Sequence, residues 1–192
     1  MGEAVETLVG RHRRACQGFA DVVKQVPAGR WAAPTPCSEW DAAALVEHVI
    51  GFHEFLLLRP LGVRAHRPRT GPAPRWLATQ AAIEEALALP ALATPVDFFD
   101  GQARRPGDVL GAITGDVLVH TWDLARAVGV RDQLDEALCS LAYDAVRANG
   151  APDGSGMFAP PVPIGSGAST QDRLLALRGR DPAWRPATEL TP

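Results

Sequence analysis

The chain has 192 residues and a net charge of −3, enough length to bury a substantial core as one domain and no overall basic balance of the kind nucleic-acid binding requires. Its three cysteines, Cys16, Cys37 and Cys139, lie far apart and outside any CxxC arrangement, which excludes a disulfide framework and a cysteine-rich zinc module and fits a reducing cytoplasm. No signal-peptide core and no window of about 18 uninterrupted apolar residues is present, so the expectation is a cytoplasmic protein, monomeric or homodimeric, that meets a small molecule rather than nucleic acid or membrane.

From about Glu3 to Val26, apolar residues recur at spacings of three, four and seven (Val5, Leu8, Val9, Cys16, Phe19, Val22, Val23, Val26), as one face of a helix requires. Pro27 and Gly29 end that helix, and the cluster Arg11-His12-Arg13-Arg14 reads as its solvated face. The stretch WAAPTPCSEWD is a loop, because Pro34 and Pro36 hold their predecessors extended. Ser38 and Asp41 have capping-box spacing before a second helix, from about Ala42 to Leu58, that carries Leu45, Val46, His48, Val49, Phe52, Phe55 and Leu56.

Residues 59–74, rich in Pro, Arg and Gly, form a connecting loop, and Trp76 to Leu89 a third helix. Pro90 and Pro95 bound a second loop in which Val96 to Phe99 are briefly extended. A proline-free run from about Gly107 to Val128 predicts the fourth and longest helix, stopped by Gly129. A fifth spans about Leu134 to Ala148, and after a Pro/Gly/Ser-rich stretch a short helix from about Thr170 to Arg178 starts at Ser169 as N-cap. No segment alternates with period two over a useful length, so the class is all-α: a single helical bundle over about 1–150 followed by a tail over about 151–192. Lys24 is the sole lysine, a bias that fits a GC-rich, actinobacterial genome.

The polarity inside GDVLVHTWDLA poses the functional question. Asp116 and His120 are four residues apart, about 40° around the helix axis, so both side chains can reach one atom. His48, set among apolar residues on the second helix, is the best third donor, and two imidazoles with one carboxylate leave a coordination position open, the makeup of a catalytic rather than a structural metal site. Zinc fits this donor set best, and nickel, iron or manganese are also compatible. His53 lies roughly 140° from His48 around the same helix and cannot share its metal. His12, in the arginine cluster, and His66, in the Arg/Pro loop, are read with His53 as structural or solvent-exposed. Asp123 either accepts from the second ring nitrogen of His120 or pairs with Arg126 at the surface, and Trp122 is core. The same spacings also fit a helix-face ion pair or core histidines, and the residues alone do not choose.

Three segments taken together, TPCSEWDAAALVEHV, GDVLVHTWDLARAVG and FAPPVPIGSGASTQDRLLALRGRDPAW, resemble the actinobacterial family related to the mycothiol-dependent maleylpyruvate isomerase N-terminal domain, within the DinB-like group of metal-binding four-helix bundles. The resemblance implies a divalent metal on His48, Asp116 and His120. Typical DinB-like sequences carry three histidines and the isomerase an acid at the middle ligand, so Asp116 follows the isomerase pattern with a side chain shorter than its glutamate. The implied function is a metal-dependent enzyme acting on a small electrophilic metabolite with a thiol such as mycothiol as cosubstrate, by isomerisation or thiol transfer. The alternatives are a thiol-independent cyclase, hydrolase or hydratase, or a non-catalytic bundle that binds a small ligand. The isomerase's further C-terminal domain is not expected in this chain. Cys37 is the cysteine to examine for a role, and Arg64, Arg67 and Arg69 could meet acidic groups if the 59–74 loop covers the pocket mouth.

Overall fold

The computed structural model describes residues 2–149 and 159–186. Four helices make the bundle: α1 (Gly2–Val23), α2 (Ala42–His53), α3 (Pro72–Leu87) and α4 (Leu110–Val128). Helix α1 packs along α4, and α2 packs between α3 and α4. Two further helices, α5 (Glu136–Asn149) and α6 (Thr170–Leu177), pair with each other, and α5 lies against α4. The architecture is the all-α helical bundle that the helical periodicity predicts.

The inward faces of the four helices interlock through Phe19 and Val23 of α1, Leu45 and Val49 of α2, Trp76 and Ile83 of α3, and Ile113, Val117 and Leu124 of α4. Each such side chain removed from water contributes about 1.5–3 kcal/mol. Helix α4 is buried nearly all the way round, from Leu110 to Ala125 apart from Gly111 and Ala112. Its second apolar face, Val119 and Trp122, is covered by Leu175 of α6 and flanked by Leu134 and Trp184. A helix apolar on more than one side has to be central, and the tail supplies the cover that three bundle partners cannot. Polar groups on this buried helix satisfy themselves locally: the Thr114 and Thr121 hydroxyls donate to Leu110 O (2.6 Å) and Val117 O (2.7 Å).

Local signals set several of the boundaries. Asp41 caps α2 by accepting from Ala44 N–H at 2.8 Å, while Ser38 takes no part in the cap. Ser169 caps α6, accepting from Asp172 N–H at 3.1 Å. Gly129 ends α4 in the left-handed region, φ 77°, where an L side chain is disfavoured. Helix α2 runs on into a π turn over Glu54–Leu58, closed by Arg59 N–H donating to Glu54 O at 2.9 Å, and this buries both Leu57 and Leu58.

Some boundaries differ from expectation. Helix α3 begins at Pro72 rather than Trp76, because proline in the first turn forfeits no hydrogen bond and its fixed φ already suits a helix. Residues Pro106–Val109 form a 3₁₀ turn that leads into α4 at Leu110 instead of belonging to it. The brief extension at Val96–Asp97 (β1) pairs antiparallel with Ala103–Arg104 (β2), a hairpin too short to show a period of two. The start of the Pro/Gly/Ser-rich tail stretch, 151–158, lies outside the described residues. Among the described residues, no helix is long and apolar enough to cross a membrane.

Candidate metal centre

Helices α2 and α4 meet where His48 faces Asp116 and His120. His48 Nε2 lies 3.6 Å from Asp116 Oδ2, and His120 Nε2 lies 3.4 Å from Asp116 Oδ1. One donor atom from each of the three falls within 4.8 Å of the others. Metal bonds of about 2.0–2.1 Å to imidazole or carboxylate place neighbouring donors about 3.3 Å apart around a tetrahedral ion, and the two histidine–carboxylate separations, 3.6 and 3.4 Å, lie close to that value. Asp116 Oδ2 is buried without a hydrogen-bond donor, a costly state for a carboxylate oxygen unless a cation completes it. The shorter aspartate therefore still reaches both histidines.

The orientation of His120 is fixed from behind. Its Nδ1–H donates to Asp123 Oδ2 at 3.0 Å, which leaves the Nε2 lone pair facing Asp116 and His48 in the neutral ring. Asp123 is fully buried and held in turn by Arg180, whose Nη2 and Nε donate to Oδ2 at 2.9 and 3.2 Å. Arg180 Nη1 donates to Arg178 O at 2.9 Å. A carboxylate behind a ligating histidine fixes its tautomer and raises its basicity. Of the two roles open to Asp123, the one behind His120 is therefore observed, and Arg126 pairs with Asp132 instead.

The electrostatics call for positive charge at this spot. Burial alone would lower the His120 pKa, yet Asp116 and Asp123 outweigh it and push the imidazole up to about 9. Burial would likewise raise the Asp116 carboxyl, but His120 and then His48 hold it well below the usual carboxylate range. With Arg180 already paired to Asp123, a proton on His120 supplies the positive charge that Asp116 calls for in the metal-free protein, and a divalent ion would take over that role.

A cavity of about 570 Å³ opens on the three donors. One wall is the Pro36–Trp40 loop, locked by the Thr35 hydroxyl, which lies 2.9 and 2.8 Å from the Cys37 and Trp40 carbonyls and accepts from Cys37 N–H at 3.1 Å. This loop sets Trp40 against His48, ring centroids 4.2 Å apart and 25° from parallel, while Phe52 stacks on the same imidazole at 5.8 Å. The opposite contribution comes from the tail, through Ala159, Gly179 and Arg180. Gly179 is required there: its φ is 72°, and a Cβ would stand 2.5 Å from Ala159 O.

Several expectations are corrected. The 59–74 loop lends no residue to this cavity among those described; it lines a separate concavity of about 690 Å³, where Arg67 pairs with Glu54. Cys37 does line the cavity, but burial raises its thiol pKa, with Arg180 opposing only in part, so it is held as a neutral thiol. His66 is exposed, whereas His12 and His53 are both fully buried, His12 pointing inward while Arg13 and Arg14 beside it stay in solvent. Trp40 and Arg180 carry no motif that singles them out: the first is one apolar residue in a proline-rich loop, and the second acts on a residue 57 positions away.

The model of the mycothiol maleylpyruvate isomerase N-terminal domain matches residues 12–125, a span that includes His48, Asp116, His120 and Asp123 but not Arg180. Two uncharacterized proteins of Mycobacterium tuberculosis, from strains CDC 1551 / Oshkosh and ATCC 25618 / H37Rv, are each 35% identical over 178 residues, covering 88% of this chain and 95% of theirs. No solved structure matches the chain. On this match, and on a bundle that sets the three donors together, the chain belongs to the mycothiol maleylpyruvate isomerase N-terminal domain family of DinB-like helical bundles.

Proposed function

We propose that the protein is a metal-dependent enzyme that uses a low-molecular-weight thiol such as mycothiol on a small electrophilic metabolite, by isomerisation or thiol transfer. The observation that carries this reading is an incomplete donor set on a cavity wall: two imidazoles and one carboxylate, His48, Asp116 and His120, all lining the same 570 Å³ space. Three protein ligands and an open side are the pattern of catalytic sites, whereas structural zinc is closed by four. When bound, a divalent ion, zinc by donor type with nickel, iron or manganese also compatible, would supply the Lewis acidity that ionises a thiol near neutral pH.

The protein's own groups do the rest. Asp123 and Arg180 hold His120 in one tautomer, and stacking on Trp40 and Phe52 limits the rotation of His48. The same two aromatic rings give the cavity an apolar wall that excludes water from one side of a bound substrate. The chain's own cysteines stay out of the chemistry, since Cys37 is held protonated and Cys16 and Cys139 are buried.

The test is cobalt(II)-loaded protein titrated with mycothiol. A thiolate-to-cobalt charge-transfer band that saturates with thiol, and is lost in His120→Ala, supports the proposal. An unchanged spectrum at saturating thiol sinks the thiol-dependent reading and leaves a thiol-independent cyclase, hydrolase or hydratase, or a small-ligand-binding bundle.

A further inference from the structure

A second cluster of metal-binding side chains lies inside the bundle, between α1 and α2. His12 and Cys16, one turn apart on α1, meet His53 from the end of α2, and all three are at most 2% exposed. Cys16 Sγ lies 3.5 Å from His12 Nε2 and 3.7 Å from His53 Nε2.

The hydrogen bonds behind the rings decide where the protons are. His53 Nδ1 lies 2.7 Å from Val49 O, and a carbonyl can only accept, so Nδ1 carries hydrogen. His12 Nδ1 lies 3.0 Å from Thr114 Oγ1, whose own hydrogen is committed to Leu110 O at 2.6 Å, so this Nδ1 also carries hydrogen. Burial keeps both rings neutral. Both Nε2 lone pairs therefore face one sulfur that owns one proton. A thiol can satisfy only one of them, and a buried acceptor left without a donor costs about 1–3 kcal/mol. A metal ion in place of the proton satisfies all three atoms at once.

The spacing matches that ion. Bonds of about 2.3 Å to sulfur and about 2.0 Å to imidazole nitrogen put the donors about 3.5 Å apart around a tetrahedral centre and about 3.7 Å apart around a trigonal one. The Thr114 hydroxyl and Val49 carbonyl hold the two rings from outside, as groups behind metal-binding histidines do. We propose that His12, Cys16 and His53 form a second, three-coordinate metal site for a soft monovalent ion of the copper(I) type. Charge selects the ion: a thiolate with two neutral imidazoles carries −1, so a monovalent cation gives a neutral buried centre, whereas zinc would leave an uncompensated +1 where burial of charge is costly. Thiolate ligation favours copper(I) among the available monovalent ions. On binding, Cys16 releases its thiol proton and one sulfur–metal and two nitrogen–metal bonds form, with no change of oxidation state.

The full-length protein with Cys37→Ser, Cys139→Ala and His120→Ala leaves Cys16 as the one thiol and disables the first centre. Loaded anaerobically with copper(I) in competition with bicinchoninate, it should retain about one equivalent, and its copper absorption edge and fine structure should show one sulfur and two nitrogens. Adding Cys16→Ser should weaken copper binding by at least about 100-fold with an unchanged helical circular dichroism spectrum; should that variant fail to fold, the sulfur shell in the Cys16 protein decides. Surrender of all copper to the chelator, a coordination shell without sulfur, or tight zinc binding at this cluster in preference to copper(I) would each overturn the assignment.

Discussion

Asp123→Asn removes one negative charge from behind His120 while keeping the side chain's volume. Asp123 is fully buried and receives His120 Nδ1–H and the Arg180 guanidinium, itself 5% exposed. Breaking a buried ion pair from one side costs about 3–5 kcal/mol. Asparagine keeps one oxygen to accept from Arg180, so the lower end, about 3 kcal/mol in the metal-free protein, is expected by urea denaturation. In the native site Asp123 Oδ2 accepts from both His120 and Arg180. An amide oxygen placed there is uncharged and holds the ring less firmly, and the amide NH₂ then meets the Arg180 Nε–H that Oδ1 accepts in the native site. Zinc affinity, read by competition with a chromogenic chelator, should fall 10–100-fold, the usual cost of losing the group behind a ligating histidine. The double variant Asp123→Asn, Arg180→Met should recover part of the stability, since no unpaired cation remains, but none of the affinity. Unchanged affinity and unfolding midpoint in Asp123→Asn would refute the role assigned to this pair.

Further outcomes follow from the same geometry. His48→Ala should abolish divalent-metal retention while changing metal-free stability by less than about 1 kcal/mol, since its side chain is 29% exposed, in contrast to buried positions; denaturation and elemental analysis on one sample check both. Gly179→Ala, which adds a Cβ 2.5 Å from Ala159 O at φ 72°, should cost about 1–3 kcal/mol and loosen Arg180, seen as a lower melting temperature with a weaker metal affinity. The metal-free protein should be most stable at about pH 6–7 and melt lower on both sides. Rising pH removes the proton from His120, whose folded pKa of about 9 exceeds the usual 6.5, so up to about 3 kcal/mol present below pH 6.5 is lost as pH passes through 9. Falling pH forces protons onto His12 and His53, both lowered by burial and the latter to about 4, and stability present above pH 6.5 is lost toward pH 4. Calorimetric melts from pH 4 to 9 that rise or fall monotonically would contradict the assignment of these groups.

Much of this arrangement was legible in the sequence because its causes are local. Asp41, Gly129 and Ser169 mark helix ends through hydrogen bonds and backbone angles that involve only their neighbours. The four-residue step from Asp116 to His120 is likewise a property of one helix, and the isolation of His48 among apolar residues pointed to its facing inward. His12 was obscured by Arg11, Arg13 and Arg14, yet it stands four residues after Leu8 and four before Cys16, on the apolar stripe; adjacent helix residues are about 100° apart, so a solvated arginine and a buried histidine sit side by side. The cover of α4 by Leu175, the pairing of Arg180 with Asp123 and the seating of Trp40 on His48 depend on chain segments that meet only after folding. Such contacts leave no periodicity to read, and the tail that supplies two of them is mostly Pro, Gly, Ser and Ala around a helix of eight residues.

Every function proposed for the first centre requires that His48, Asp116 and His120 hold a divalent metal. Elemental analysis of protein purified without a histidine tag measures it directly, with the His48→Ala, His120→Ala double variant prepared in parallel. Close to one equivalent of zinc, nickel, iron or manganese is expected in the wild-type protein and almost none in the variant. A wild-type protein that neither carries nor takes up such a metal, or a double variant that retains it in full, would contradict the assignment.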